Sequence, residues 1–253
     1  MSTVQPLGHE IRRSESRGHL QTDWLDARFS FSFGSYKDPR RTRFGPLLAL
    51  NEDRVQPQTG FPMHPHRDLE ILMIPLLGEM EHRDSQGRHM IVRPGQVQFM
   101  RAGSGIRHSQ MNPSPDTVDH HLQIWFEPRT PGLEPLVEQR PLPPSTGSLW
   151  MCIASPDGEA GSFTIDADVR VEQAALAAHA TLDDPGQPGR WRYLHVVSGH
   201  LLLRLDAGVE TSLRGGDALV VKESEERLQL HGLAPETQII KFDVAARDAM
   251  GAR

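Results

Sequence analysis

The stretch Gly60-Phe-Pro-Met-His64-Pro-His66-Arg-Asp-Leu-Glu70 carries two histidines that are two residues apart. In a β-strand, residues i and i+2 point to the same face. We therefore expect the imidazoles of His64 and His66 to project together from one strand. The chain has 13 histidines, and an isolated pair is more often a surface or core pair than a metal site. The pair indicates a metal site only if other potential ligands lie near it in the fold.

A second segment supplies those partners. In Gly103-Ser-Gly-Ile-Arg-His108-Ser-Gln110-Met-Asn112, the same period places His108 and Gln110 on one face of a second strand. Two such strands side by side would direct three imidazoles and one amide at a single point. The sequence therefore predicts a transition-metal site with the ligands His64, His66, His108 and Gln110. The glutamine is a weak, neutral ligand in a position where a carboxylate is expected.

Glu70 could supply the missing carboxylate. It lies four residues after His66, and its parity places it on the same face if the strand is regular. Three interpretations stay open at this point. Glu70 could be an alternative metal ligand, it could hold an imidazole N–H from outside the ligand set, or it could pair with an arginine such as Arg67 or Arg107.

The composition is that of a soluble globular protein with one large or two ordinary domains. The chain has 253 residues, of which 37% are hydrophobic and 24% charged, and its net charge is −6. The negative charge argues against direct binding of nucleic acid. The longest apolar stretch, 69–77, is too short to span a bilayer, and residues 1–20 do not form a secretory signal. With a single cysteine and no intrachain disulfide, we expect a cytoplasmic protein.

Short strands dominate the predicted secondary structure. The 22 glycines and 20 prolines favour turns over long helices. Phe29-Ser-Phe31-Ser-Phe33 alternates as a half-buried strand does, and 69–77 is typical of a strand buried on both faces. The proline-rich stretch 127–147 indicates a linker. We therefore predict an N-terminal domain at 1–135 that holds the metal site. The C-terminal domain at 136–253 would begin with the proline-rich linker.

The second half of the chain faintly repeats the first. Equivalent residues lie 121 positions apart in the pairs Gly78/Gly199, Gly87/Gly208, Arg93/Arg214 and Gly95/Gly216. A shared hairpin with its turns at the same places explains this better than chance, so we expect two β-domains of similar build. The same offset carries the three histidines onto Pro185, Gln187 and Gln229. We therefore expect the C-terminal domain to be free of metal.

These segments resemble a known protein family. Gly60-x3-His64-x-His66-x3-Glu70-x7-Gly78 and Gly105-x2-His108-x3-Asn112 resemble the two cupin motifs. More narrowly, the segments 64–71, 81–85, 103–109, 122–125 and 154–158 look like those of the pirin family of bicupins. The resemblance implies an all-β chain with two cupin barrels of jelly-roll type in tandem. It also implies one metal ion in the N-terminal barrel, bound by three histidines and one glutamate.

The resemblance also implies a function. Several pirin-like proteins are described as quercetin 2,3-dioxygenases, which open flavonols with O₂ and release carbon monoxide, and others as transcription co-regulators. The family's histidine ligands fall on His64, His66 and His108, whereas its glutamate position falls on Gln110. The expected ion is Fe²⁺, although histidine ligands also suit Ni, Cu, Co, Zn and Mn.

Three functions stay open on the sequence. The favoured one is an O₂-dependent oxidoreductase that acts on flavonols or other small enolisable aromatic substrates. The second is a non-catalytic regulator that docks on a protein partner and uses the metal as a sensor. The third is a barrel whose metal site has decayed and which binds a small ligand. Gln110 bears on all three, because an amide cannot act as a base and removes the charge that helps to hold a cation.

Overall fold

The computed structural model describes residues 8–142, 148–206, 208–222 and 225–246, and β-strands make up most of them. The chain divides into two compact units. The described residues of Arg17–Pro144 and Ile165–Asp168 form the N-terminal domain. Those of Met1–Ser16, Ser145–Thr164 and Val169–Arg253 form the C-terminal domain. No helix within the described part of the chain is long and apolar enough to cross a membrane.

The first half of the chain contributes twelve of the described strands. They are β1 (His9–Arg12), β2 (Gly18–Gln21), β3 (Leu25–Phe29), β4 (Leu47–Val55), β5 (Gly60–His66), β6 (Glu70–Leu77), β7 (Met80–Asp84), β8 (His89–Val92), β9 (Gln96–Arg101), β10 (Ile106–Met111), β11 (Asp119–Phe126) and β12 (Leu136–Pro141). Strands β2–β12 form the N-terminal domain as a seven-stranded sheet, β12-β9-β6-β11-β4-β3-β2, and a four-stranded sheet, β5-β10-β7-β8. A single 3₁₀ turn, Ser14–Ser16, follows β1.

The C-terminal domain has the same plan. Its strands are β13 (Met151–Ser155), β14 (Phe163–Thr164), β15 (Val169–Ala177), β16 (Thr181–Asp184), β17 (Arg190–Ser198), β18 (His200–Leu205), β19 (Glu210–Arg214), β20 (Ala218–Val221), β21 (Leu228–Gly232) and β22 (Glu236–Ala245), with a 3₁₀ turn at Glu159–Gly161. A seven-stranded sheet, β1-β20-β17-β22-β15-β13-β14, accompanies a four-stranded sheet, β16-β21-β18-β19. The prediction of an all-β chain with two barrels is confirmed.

Apolar side chains fill each barrel by the period-two rule of strands. In the N-terminal domain, Ile71 and Met73 of β6 pack with Met80 of β7 and Ile106 of β10 across the two sheets. In the C-terminal domain, alternate leucines of β18 pack against Leu194 and Val196 of β17. Burying such side chains contributes roughly 1.5–3 kcal/mol each, which holds each barrel closed independently of any bound group.

The predicted repeat is present as a shared hairpin. Gly78 joins β6 to β7 and Gly199 joins β17 to β18, with φ of +73° and +86°. A Cβ at either glycine would lie 2.4 Å from a backbone oxygen, that of Val118 in the first case and that of Glu236 in the second. Only glycine satisfies both the positive φ and this close approach, so each barrel requires it at the same turn.

The domain boundary differs from the predicted one at 135/136. Strand β12, at 136–141, pairs antiparallel with β9 over six residues and so belongs to the N-terminal domain. Strand β1 pairs instead with β20 of the C-terminal domain. The prolines of 127–147 suggested a linker throughout. Strand β12 lies at the edge of its sheet and Pro141 is its last residue. The N–H that proline lacks therefore does not prevent β12 from pairing with β9.

Glu70 does not lie on the same strand face as His64 and His66, although the period of two along a regular strand predicted that it would. Strand β5 ends at His66, Asp68 adopts a positive φ of +49°, and Glu70 begins β6 in the other sheet. The regular strand that the parity argument assumed is therefore interrupted.

Glu70 instead anchors the segment 165–168. The side chain is fully buried, and its carboxylate accepts hydrogen bonds from the backbone N–H of Asp166 and Ala167, each at 2.9 Å. The Nε–H of Arg101 donates to it at 3.0 Å. This is the arginine-paired interpretation, with Arg101 in place of the two arginines considered from the sequence.

We predict that Glu70→Gln destabilises the fold by about 3 kcal/mol, because it removes the charge of a fully buried carboxylate that pairs with Arg101 and turns an amide N–H toward the backbone donors of Asp166 and Ala167. Urea unfolding measures the loss, and Glu138→Gln, at a partly exposed pair with Arg140, is the control. Metal stoichiometry should not change. A variant of normal stability that has lost metal would contradict this assignment.

Candidate metal centre

The three predicted histidines come together inside the N-terminal barrel. Antiparallel pairing of β5 and β10 places His108 directly opposite His64. Ring centroids are 4.7 Å apart for His64 and His66, 4.5 Å for His64 and His108, and 5.0 Å for His66 and His108. One nitrogen from each ring lies within 4.8 Å of the others. Three nitrogens at this spacing can share one metal ion.

Hydrogen bonds fix the ring of His64. Its Nδ1 lies 2.8 Å from the carbonyl oxygen of Pro62. A carbonyl only accepts, so Nδ1 carries the proton and the lone pair is on Nε2. Histidines that bind metals are commonly held in this way by a backbone carbonyl.

A chain of two side chains fixes the ring of His108. His82 on β7 is fully buried, with its Nε2 at 3.3 Å from Oδ2 of Asp84 and its Nδ1 at 3.4 Å from Nδ1 of His108. When His82 is neutral and donates Nε2–H to the carboxylate, its Nδ1 accepts from His108. The lone pair of His108 then lies on Nε2, which is buried and has no hydrogen-bond partner. An orphaned acceptor among imidazoles is what a metal ion would satisfy.

Sequence reasoning missed the role of His82. The signal was available, because His82 and Asp84 are two residues apart in Glu81-His-Arg-Asp84 and share a face of β7 by the rule that selected the other pairs. Their segment was noted for its resemblance alone. The structure shows that they orient His108.

Burial favours the neutral form of His66 and His108. It lowers the pKa of His66 to about 4 and, together with the neighbouring imidazoles, lowers the pKa of His108 to about 2. Burial also lowers the pKa of His82, despite its bond to Asp84. Neutral imidazoles bind a metal without first losing a proton, so the rings of His66 and His108 are ready for a cation at neutral pH.

Gln110 is close to the histidines but its carbonyl oxygen is occupied. The side chain is buried and lies two residues after His108 on β10. Its Oε1 accepts a hydrogen bond from Nε2 of Gln123, on β11 of the facing sheet, at 3.2 Å. The oxygen is the only atom with which an amide would coordinate a metal. In this orientation, the oxygen that the sequence predicted as the fourth metal ligand is instead hydrogen-bonded to Gln123.

Aromatic side chains flank the histidine cluster. The ring of Trp125 meets His66 edge to face at 5.1 Å and Phe33 edge to face at 5.0 Å. A groove of about 360 Å³ opens beside His66, between Arg67 and Arg107. Neither guanidinium pairs with a carboxylate among the described residues. The aromatic wall therefore borders the cluster, whereas Arg107 alternates with His108 along β10 and lies on the opposite face of that strand.

A second buried acid–base group lies further along β11. His121 Nδ1 is 2.9 Å from Oδ2 of Asp119, and its Nε2 is 3.7 Å from Oδ2 of Asp53. Burial raises the pKa of Asp53 to about 6. Burial alone would lower the pKa of His121, but the charge of Asp119 and its hydrogen bond raise it. The three residues neutralise one another in part, and none joins the histidine cluster.

The residues present fit a divalent transition metal. The donors are three imidazole nitrogens, of which one is a buried acceptor without a partner. Outside this cluster, the described residues contain no other group of three histidine, cysteine, aspartate or glutamate side chains at such spacing. In the C-terminal domain, the positions equivalent to His66 and His108 in the repeat are Gln187 and Gln229, and these side chains offer only amides.

Comparison with known proteins agrees with this arrangement. The Pirin family model matches residues 10–126, and the model described as the quercetinase C-terminal cupin domain matches residues 152–244. The chain is 35% identical over 238 residues to a putative quercetin 2,3-dioxygenase of Pasteurella multocida, across 92% of this chain and 98% of that protein. It is 34% identical to the quercetin 2,3-dioxygenase of Escherichia coli strain K12, across 92% and 97% of the two chains.

Solved structures give the same result. The crystal structure of YhhW from Escherichia coli superposes with a TM-score of 0.86 at 33% identity, covering 94% of this chain and 98% of that one. A structure of the same bacterial pirin in complex with nickel(II) has a TM-score of 0.85 at 32% identity, with coverages of 94% and 100%. On these matches along both barrels, the chain belongs to the pirin family.

Proposed function

We propose that the N-terminal barrel holds one Fe²⁺ ion through His64, His66 and His108, and that the protein is a dioxygenase. Its substrates would be flavonols of the quercetin type or related enolisable aromatics. The family implies a divalent metal and a small-molecule substrate with O₂. The observation that carries the proposal is the buried, unpartnered Nε2 of His108 within a cluster of three imidazoles.

The ion would supply a Lewis acid and a redox centre for O₂ chemistry. The protein's own residues position and protect it. Asp84 and His82 hold the tautomer of His108, and the carbonyl of Pro62 holds that of His64. Trp125 and Phe33 provide flat apolar surfaces suited to a planar aromatic ring.

We predict that the double variant His64→Ala/His66→Ala loses the metal ion, because one imidazole cannot hold it. Metal analysis of the purified protein after dialysis against Fe²⁺ or Ni²⁺ should give one ion per chain in the unchanged protein and none in the variant. The control is His19→Ala/His89→Ala, at two histidines of the same domain that pair with carboxylates at its surface. Unchanged stoichiometry in the first variant would refute the site.

We predict that His82→Phe lowers metal affinity by about 10–100-fold, the usual effect of removing a group that orients a histidine ligand. The phenyl ring fills the volume that His82 occupies but cannot accept a hydrogen bond from Nδ1 of His108. Competitive chelator titration measures the change, with His89→Phe as the control. Affinity equal to that of the unchanged protein would show that the Asp84–His82 chain does not hold the ligand.

Dioxygenase activity itself is tested with a panel of flavonols under air. The iron-loaded protein should consume O₂ and release carbon monoxide with quercetin or a related flavonol, and His64→Ala/His66→Ala should do neither. Full iron occupancy without O₂ uptake on any flavonol would overturn the proposed reaction while leaving the metal site intact.

A further inference from the structure

The free end of the Gln110 amide is a hydrogen-bond donor without an acceptor. Because Gln123 donates to its Oε1, the Nε2 of Gln110 is left over, and this atom is buried with no hydrogen-bond partner. Pairing of β10 with β7 is regular here, so the side chain shares a face with His108. A buried donor that bonds to nothing is costly, and its position beside the histidines indicates that a ligand satisfies it.

Trp125 presents a second donor of the same kind. Its Nε1 is also buried and without a hydrogen-bond partner, while its ring contacts His66. On β11, Trp125 lies two residues after Gln123, so the two side chains project from the same face. Two unsatisfied N–H groups therefore border the histidine cluster, one from each sheet.

The charge around the cluster also favours an anion. The amide of Gln110 is neutral, and a divalent ion would add two positive charges without a carboxylate ligand to offset them. The nearby carboxylates are engaged elsewhere, Asp84 with His82 and both Asp53 and Asp119 with His121.

We propose that Gln110 Nε2 and Trp125 Nε1 form a donor pair for a ligand oxyanion, so that this barrel takes its substrate as the conjugate base of an enolisable ring hydroxyl. The inference rests on the proposed metal centre and narrows its substrate class. A glutamate at position 110 could accept the hydroxyl proton; the amide of Gln110 cannot. The proton passes to the buffer as the ligand binds, and no bond to carbon changes in this step.

The test uses the zinc-loaded protein, in which no redox turnover occurs, and 3-hydroxyflavone as the probe. Absorbance distinguishes the neutral flavonol from its anion, so a pH titration gives the pKa of the bound hydroxyl. Gln110→Leu and Trp125→Phe each remove one donor, and the second keeps the aromatic contact with His66. We expect each variant to raise that pKa by about one unit, a tenfold weaker preference for the anion, with zinc still bound.

Two further variants complete the design. Gln123→Glu offers only an acceptor at 123, which should draw Gln110 Nε2 to itself and turn Oε1 toward the metal. We expect tighter zinc binding and the same loss of preference for the anion. Gln139→Leu is the matched control, since this glutamine bonds to Ile91 and Gln96 elsewhere in the domain, and it should behave as the unchanged protein.

Three results would overturn the donor pair. The first is an unchanged pKa of the bound flavonol in both Gln110→Leu and Trp125→Phe while zinc stays bound. The second is loss of zinc in Gln110→Leu with no change in preference for the anion, which would make Gln110 a metal ligand. The third is failure of the unchanged protein to bind zinc, which would overturn the metal centre as well and so marks failure of the proposed function.

Discussion

The antiparallel pairing of β5 with β10 is the constraint on which the site depends. It sets His108 opposite His64 and leaves His66 two residues along the same face. A slip of one residue would turn one pair of side chains to the outside of the barrel. The apolar cluster behind the two strands prevents this, since Ile106 of β10 must also face inward. Core packing thus fixes the register, and the register assembles the three imidazoles.

Carboxylates near the cluster serve structure and orientation more than coordination. Glu70 anchors the 165–168 segment, which is part of the N-terminal domain. Asp84 acts on the site through His82, and the two aspartates around His121 neutralise a buried imidazole. Polar side chains therefore surround the histidines inside the barrel, but no carboxylate is placed as a fourth ligand among the described residues. The charge of a cation bound by the three histidines would therefore have to be neutralised by a bound ligand.

The sequence was sufficient to predict the all-β fold, the repeated hairpin and the three histidines, because each follows from the period of two along a strand or from the demand for glycine at a turn. Glu70 was misplaced because the same period was extended across Asp68, where a positive φ ends the strand. The boundary at 135/136 was misplaced because prolines mark edge strands as well as linkers. The bond between Gln110 and Gln123 joins facing sheets, and no local pattern predicts a contact of that kind.

The proposed cation site is built from three histidines without a protein carboxylate. Crystallography of the iron- or zinc-loaded protein, with anomalous scattering at the metal edge, tests it most directly. We expect one peak in the N-terminal barrel, bound by His64, His66 and His108, with the Oε1 of Gln110 still accepting a hydrogen bond from Gln123. A peak coordinated by Gln110 or Glu70, or one located away from the three histidines, would contradict it.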